Sequence, residues 1–294
     1  MASPGAVLID VRAADMFVKL RVGGSLSFPA SELKDRMFEL PPRTVPLVVL
    51  YDKDCVKGEV DTCVELIQRA KWALLGVVLV DDIKGLNACT SASHTLVEGP
   101  LSAAERKARG WSPSPFAEQC FQIVQKDPKC PRLLYDIGCG AGRDMAYAAA
   151  EGWHVVGIDN RPRLLIQARA LQERGGLGAV DPLVAHLGTS LPLREGTAGC
   201  VLMVRFLHRP VLESMLLACA VGGYFVCSHF VDGCQHSAVG TPKSEDAFLK
   251  HWELRTIVDL LKEGGRATFD IIVDDEQTID DGRPVSNFFA KRIA

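Results

Sequence analysis

An α/β chain of two domains, the second carrying a mostly parallel, seven-stranded sheet, is the fold class that the sequence predicts, on three observations. Apolar runs of strand length alternate with stretches of helical period, the pattern of repeated β-α-β units. One of those runs, Leu133-Leu134-Tyr135-Asp136-Ile137, ends in an acid and passes directly into Gly138-Cys139-Gly140-Ala141-Gly142-Arg143. A segment rich in Ser, Pro and Gly between Ala88 and Pro115 divides the chain, which places domains over 1–95 and 116–294 and a linker over 96–115.

The 294 residues suit two domains, and with 48% apolar and 23% charged residues each can bury a core. Apolar runs such as Val45 to Tyr51 and Gly76 to Val80 fall far short of a membrane span. The opening Met1-Ala2-Ser3-Pro4-Gly5-Ala6-Val7 has no basic region ahead of an apolar one, so a cytoplasmic protein with no membrane partner is expected. The ten cysteines are scattered, with no Cys-x-x-Cys and no His/Cys spacing suited to a metal, so they read as reduced thiols and no metal is expected. A net charge of −3 without a basic stripe argues against a nucleic-acid partner.

In the first domain, Ala6 to Arg12 reads as a buried strand ending in Asp10 and Arg12. A short helix over 13–20, a glycine turn at Gly23-Gly24 and a short strand toward Pro29 follow. Pro46 to Tyr51 and Gly76 to Val80 are strands, with a helix from Val60 to Trp72 between them. This succession resembles a rhodanese domain over about the first 90 residues. The resemblance implies a persulfide-carrying cysteine directly after the Leu47–Tyr51 strand, but Asp52 stands there. Asp cannot carry sulfur, and its charge competes for an anion-binding loop. Sulfur transfer would then fall to Cys55, with Lys53 and Lys57 near enough to lower its pKa, against the alternative of an inert loop thiol. A degenerate module serving as a protein-docking or dimerisation surface is the expected status. Within the linker, Ser102 and Glu105 have the spacing of a capping box for a helix to Arg109.

The second domain opens with a helix over Phe116 to Lys126. The Leu133–Ile137 strand and its glycine loop follow, then a helix from Arg143, then a strand over Trp153 to Asp159 that also ends in an acid. Arg161 to Arg174 is an amphipathic helix with proline in its first turn. Strands over Val180–Leu187, Cys200–Phe206 and Gly222–Phe230, with a helix over Val211–Ala220, continue the alternation. A helix over His251–Lys262 and strands over Ala267–Val273 and Val285–Ile293 complete it.

The glycine loop lacks the lysine of a nucleotide P-loop and the x-x-Gly spacing of a dinucleotide fold, and an acid just ahead of it welcomes an ammonium rather than a pyrophosphate. It resembles motif I of class I S-adenosylmethionine-dependent methyltransferases. The helix and two strands after the fifth strand are similar to the reversed β-hairpin edge of their Rossmann-like sheet. The resemblance implies S-adenosyl-L-methionine as cofactor, held by Asp136, Gly138, Gly140, Gly142, Arg143, Asp159 and Asn160. Leu187 stands where many members have an adenine-binding aspartate, which leaves adenine to backbone groups of Gly188 and Thr189. Arg205 is both a cofactor and a pocket candidate.

A sulfonium methyl is electrophilic without help, so the protein must align a nucleophile and exclude water. His208, His229 and Arg205, at the ends of the fourth and fifth strands, are the catalytic candidates. Each histidine reads equally well as a hydrogen-bonded structural residue. Gly-Cys-Gly-Ala-Gly-Arg resembles small-molecule methyltransferases of the tellurite-resistance type. This implies a small acceptor, anionic or chalcogen-containing, with which Arg143, Arg205 and Arg209 are compatible. The competing readings are an RNA or protein methyltransferase that docks through the first domain, and a sulfurtransferase using Cys55.

Overall fold

Each of the two larger sheets is built on a strand that is buried on both faces, as parallel strands covered by helices are. The computed structural model describes residues 5–294, without the side chain of Lys57. Met1–Pro4, part of the stretch read above for a secretory signal, lie outside the described residues. The chain divides into two compact units, the first ending at Ser112 and the second spanning Pro113–Ala294.

The first unit runs β1 (Val7–Asp10), α1 (Ala14–Lys19), β2 (Leu20–Val22), β3 (Leu26–Ser27), α2 (Ala30–Arg36), β4 (Leu47–Tyr51), α3 (Lys57–Arg69), β5 (Leu74–Leu79), α4 (Ile83–Thr90), β6 (Leu96–Glu98) and α5 (Ala103–Lys107). Its parallel sheet has the order β3-β1-β4-β5. Alternate residues of β1 and β4 feed two cores, one holding Ile9, Leu33, Leu47, Val49 and Ile67, the other Leu8, Val22, Val48, Leu50 and Leu86.

The segment 96–112 differs from the free linker expected there. β6 pairs antiparallel with β2, and the buried Arg21 between them donates to Gly99 O at 2.6 Å and to Glu105 Oε1 at 2.7 Å. Burial of a guanidinium demands a counter-charge, and Glu105 supplies it from α5. The same Glu105 completes the expected capping box with Ser102.

The second unit runs α6 (Pro115–Val124), β7 (Leu133–Ile137), α7 (Arg143–Ala150), β8 (His154–Asp159), α8 (Pro162–Gly175), β9 (Val180–Val184), β10 (Ala198–Val204), α9 (Leu212–Ala218), β11 (Cys219–Phe230), α10 (Glu253–Glu263), β12 (Phe269–Thr278) and β13 (Pro284–Arg292). The seven-stranded sheet has the order β12-β13-β11-β10-β7-β8-β9, parallel except at β13 and β12. Strand order reverses between β7 and β10, and the carboxyl ends there form the crevice in which such sheets bind ligands.

Several elements have bounds other than those the pattern placed, and two of them bear on the site. β9 stops at Val184 instead of Leu187, because β8, its only partner among the described residues, ends at Asp159, opposite Val184. β11 begins at Cys219, which cuts α9 short. Cys219 pairs with Ala198 across a bulge, and a Cβ on Gly223 would lie 2.5 Å from the Ala198 carbonyl oxygen.

At the far end of the sheet, Asp127 follows α6 and accepts from Tyr224 Oη at 2.8 Å and Lys291 Nζ at 2.7 Å, which joins helix, β11 and β13. The Lys291 ammonium and Tyr224 hydroxyl lower the Asp127 pKa to about 2. A carboxyl depressed in the folded state stabilises above its unfolded pKa, roughly 3.9, and that contribution disappears as pH falls through the folded value. Melting temperature followed from pH 7 to pH 2 is therefore expected to fall below about pH 4, with a shallower fall in Asp127→Asn.

Candidate active site

The site begins where β7 hands the chain to α7. After Ile137, the amides of Gly138 and Cys139 both donate to Ile158 O, at 2.8 and 3.0 Å, so the loop leans across the end of β8. Gly138 has φ +78°, and a Cβ there would lie 2.4 Å from Phe206. Gly142, at φ +79°, precedes α7 without a side-chain cap, and a Cβ would lie 2.7 Å from Ala168. Both glycines are thus required by conformation and by close approach. Around Gly140 the space is open.

Asp136 is 3% exposed, and among the described residues its Oδ2 has no hydrogen-bond partner. Burial, then the charges of Asp144 and Asp159, push its pKa well above the ordinary carboxylate range. Asp144 in α7 accepts from the Ser114 amide, ahead of α6, at 2.7 Å, and its own pKa is raised by burial. The amino end of the leading helix therefore meets α7 beside the glycine loop. An unpaired, buried carboxylate oxygen is what a ligand ammonium satisfies.

Asp159 is already engaged. Oδ1 accepts from the Arg161 amide at 2.9 Å and from Arg161 Nε at 3.2 Å. Oδ2 accepts from the Gly140 amide at 3.0 Å and from Arg161 Nη2 at 3.4 Å. Although burial opposes it, these donors hold the Asp159 pKa below its ordinary value. A carboxylate has about four acceptor positions, so ligand hydroxyls can be received only if the Arg161 guanidinium leaves. That side chain is 67% exposed and free to do so.

A cavity of about 360 Å³ opens at this edge, within the roughly 300–1,000 Å³ common for small-ligand sites. Its wall is Gly138 after β7, Ile158–Arg161 around the end of β8, Ala185–Leu187 after β9 and Arg205–His208 after β10. Of the residues proposed from sequence, Gly138, Asp159, Asn160, Arg205 and His208 are brought together on it. Asp136 lies buried behind Gly138, and Gly140, Gly142 and Arg143 complete the loop and open α7.

The structure corrects several assignments. Gly188 and Thr189 are not on the wall. Because β9 stops early, Ala185, His186 and Leu187 take that place, and the Gly188 carbonyl instead accepts from His208 Nε2 at 2.7 Å. That bond leaves Nδ1 as the lone-pair nitrogen of a neutral His208. His229 is 4% exposed, off the cavity wall, and its Nε2 donates to Ala247 O at 3.1 Å. Burial, helped by Arg205 and Arg209, lowers its pKa to about 4, which makes it a poor base at neutral pH. Arg209 is spent on Glu253, at 2.6 and 2.9 Å, and on the carbonyls of Glu245 and Phe248.

His186 and the Arg161 side chain were missed from sequence. His186 lies just past the end of the third parallel strand, so the rule that singled out Asp159 would have found it once that end was known.

In the first unit, Asp52 Oδ1 accepts from the amides of Asp54 and Cys55, both at 3.0 Å. The carboxylate thus fills its own loop of N–H donors. Burial and the Asp52 charge raise the Cys55 pKa, where the neighbouring lysines had been expected to lower it. The Lys57 side chain lies outside the described residues.

Residues 134–221 match a family model described as a methyltransferase domain. Across nearly its whole length the chain is similar to "Uncharacterized protein UNK4.09" of Schizosaccharomyces pombe, 24% identical over 328 residues, covering 97% of this chain and 93% of that protein. It is 36% identical over 89 residues to the 18S rRNA (guanine-N(7))-methyltransferase bud23 of the same yeast, covering 30% of this chain and 31% of that one. A solved S-adenosylmethionine-dependent methyltransferase from Aquifex aeolicus superposes with a TM-score of 0.44 at 18% identity, over 60% of this chain and 89% of that chain. Residues 134–221 form a class I S-adenosylmethionine-dependent methyltransferase domain. The protein is an enzyme of that class, with S-adenosyl-L-methionine as methyl donor.

Two outcomes follow from the two acids. Asp136→Asn is expected to weaken S-adenosylhomocysteine binding at least tenfold by calorimetry, on the order of one charge-assisted hydrogen bond. The same substitution raises the melting temperature of the ligand-free protein at pH 8 but not at pH 4. A carboxyl raised in the folded state contributes fully below its unfolded pKa and loses that contribution as pH rises through the folded one. Arg161→Met, which clears the exposed guanidinium from the buried Asp159, is expected to tighten S-adenosylhomocysteine several-fold, about 1 kcal/mol.

Proposed function

We propose that the enzyme transfers the methyl group to a small nucleophile received in the 360 Å³ cavity, with the first unit a catalytically inactive, rhodanese-like docking module. The observation that carries this reading is the cavity itself, whose wall joins the β7 and β8 loops to Arg205–His208. When bound, the cofactor supplies an electrophilic methyl on a sulfonium. Asp136 would neutralise its ammonium, Gly138 and Gly140 would let backbone approach it, and Asp159 would receive its hydroxyls in place of the Arg161 guanidinium. On the far wall, Phe206 and Leu207 exclude water while His208, fixed by Gly188, orients the acceptor. Chalcogen oxyanions and thiols are the small acceptors to be tried first.

The inactive status of the first unit is supported by Asp52, which occupies its own loop, and by the raised Cys55 pKa. A second reading, methylation of RNA, takes its support from the similarity to the rRNA methyltransferase. That similarity spans less than a third of either chain, and the acceptor named for that protein remains its own.

The test is binding followed by transfer. S-adenosylhomocysteine is expected to bind the full chain, and Gly138→Val, which drives carbon into Phe206, is expected to abolish binding. A radiolabelled methyl screen over thiols, chalcogen oxyanions, rRNA and protein should label a small molecule. Label entering only RNA or protein would sink the proposal.

A further inference from the structure

We infer that Arg205 is the receptor for an anionic group, a carboxylate or phosphate carried by the methyl acceptor. This rests on the small-acceptor reading above and deepens it. The groups assigned to the cofactor lie at the ends of β7, β8 and β9, on one side of β10. Arg205 leaves β10 on the cavity wall, and its guanidinium lies in the opposite direction, with Cζ 4.5 Å from the centre of the Phe230 ring at the end of β11. It thus occupies the half of the sheet edge that the cofactor groups leave uncovered.

Its backbone is set for that position. Arg205 has φ +53°, a conformation seldom adopted by residues with a Cβ, held by its amide donating to Ser228 O at 3.0 Å. Such an outlier beside a cavity points to function rather than to packing economy.

The charge balance around it is uneven. Arg283 shares the Phe230 ring, with Cζ at 4.1 Å from its centre, but both oxygens of Asp281 accept from the Arg283 side chain. Arg209 is neutralised by Glu253. His229, whose ring lies 5.6 Å from that of Phe230, is neutral near pH 7. Among the described residues the Arg205 guanidinium has no hydrogen-bonding or ion-pair partner in the chain, while Phe230 restrains it. Asp281 acts on Arg205 only at longer range and is itself engaged by Arg283, so a planar fork of donors, restrained and hydrogen-bonded to no acid among the described residues, matches a carboxylate or phosphate in bidentate fashion.

The experiment has two titrations of the full chain at low ionic strength, both by calorimetry. S-adenosylhomocysteine is titrated first, then inorganic phosphate into the saturated complex. In Arg205→Met the first affinity is expected to stay within threefold of the unsubstituted protein, which also reports correct folding, while phosphate binding weakens at least tenfold. Arg205→Lys, which keeps the charge but not the fork, should fall between, and Arg266→Met, removing a surface cation paired with Glu213, should leave both unchanged.

Phosphate that fails to bind the unsubstituted complex saturably, or binds Arg205→Met equally well, overturns the inference. So does a tenfold loss of S-adenosylhomocysteine affinity in Arg205→Met, which would assign the guanidinium to the carboxylate of the cofactor. Absence of S-adenosylhomocysteine binding to the unsubstituted chain would instead defeat the cofactor site itself, and with it both readings.

Discussion

A carboxyl group buried with one oxygen unsatisfied governs this molecule. Asp136 is brought into the sheet by an apolar strand, β7, that has covered faces on both sides. Leaving a charge there uncompensated costs several kcal/mol, so the ligand-free protein holds it closer to neutrality. The neighbouring acids increase that demand. Asp144 and Asp159 add like charge. A ligand ammonium placed beside Asp136 would offset that cost.

The surrounding architecture keeps that site in register by spending its other charges internally. Arg209 joins the start of α9 to α10 through Glu253 and collects two carbonyls from the long connection after β11. Asp127 ties α6 to β11 and β13. Arg161 closes on Asp159. Against this background an unmatched guanidinium is informative, because the remainder of the cavity wall is either neutral or already paired. The side of the crevice after β7 and β8 is acidic and the side after β10 cationic, and the two meet where Gly138 lies against Phe206.

The first unit shows the converse. Its loop after β4 has the backbone donors of an anion site, yet the residue at the head of that loop is itself the anion. Asp52 binds the amides of Asp54 and Cys55 and faces Arg12 at 3.8 Å, while Arg12 forms its close bidentate pair with the fully buried Asp10. Donors already satisfied within the chain have nothing left for a ligand, and a thiol beside a carboxylate is a weaker nucleophile than one beside lysines.

What the sequence determined by itself was everything that depends on local periodicity and on the special freedom of glycine. The strand ending in Asp136, its glycine loop, the second strand ending in Asp159 and the Ser102–Glu105 capping box are all short-range features, written within a few consecutive residues. Tertiary structure alone decided where β9 stops, since an edge strand lasts only as long as its partner. It also decided which charges remain available. Arg209 meets Glu253 across 44 residues and Arg21 meets Glu105 across 84, while the Arg205 side chain is hydrogen-bonded to no acid among the described residues. Burial makes a charge seek a partner anywhere in the folded chain, and no local pattern records which one it finds.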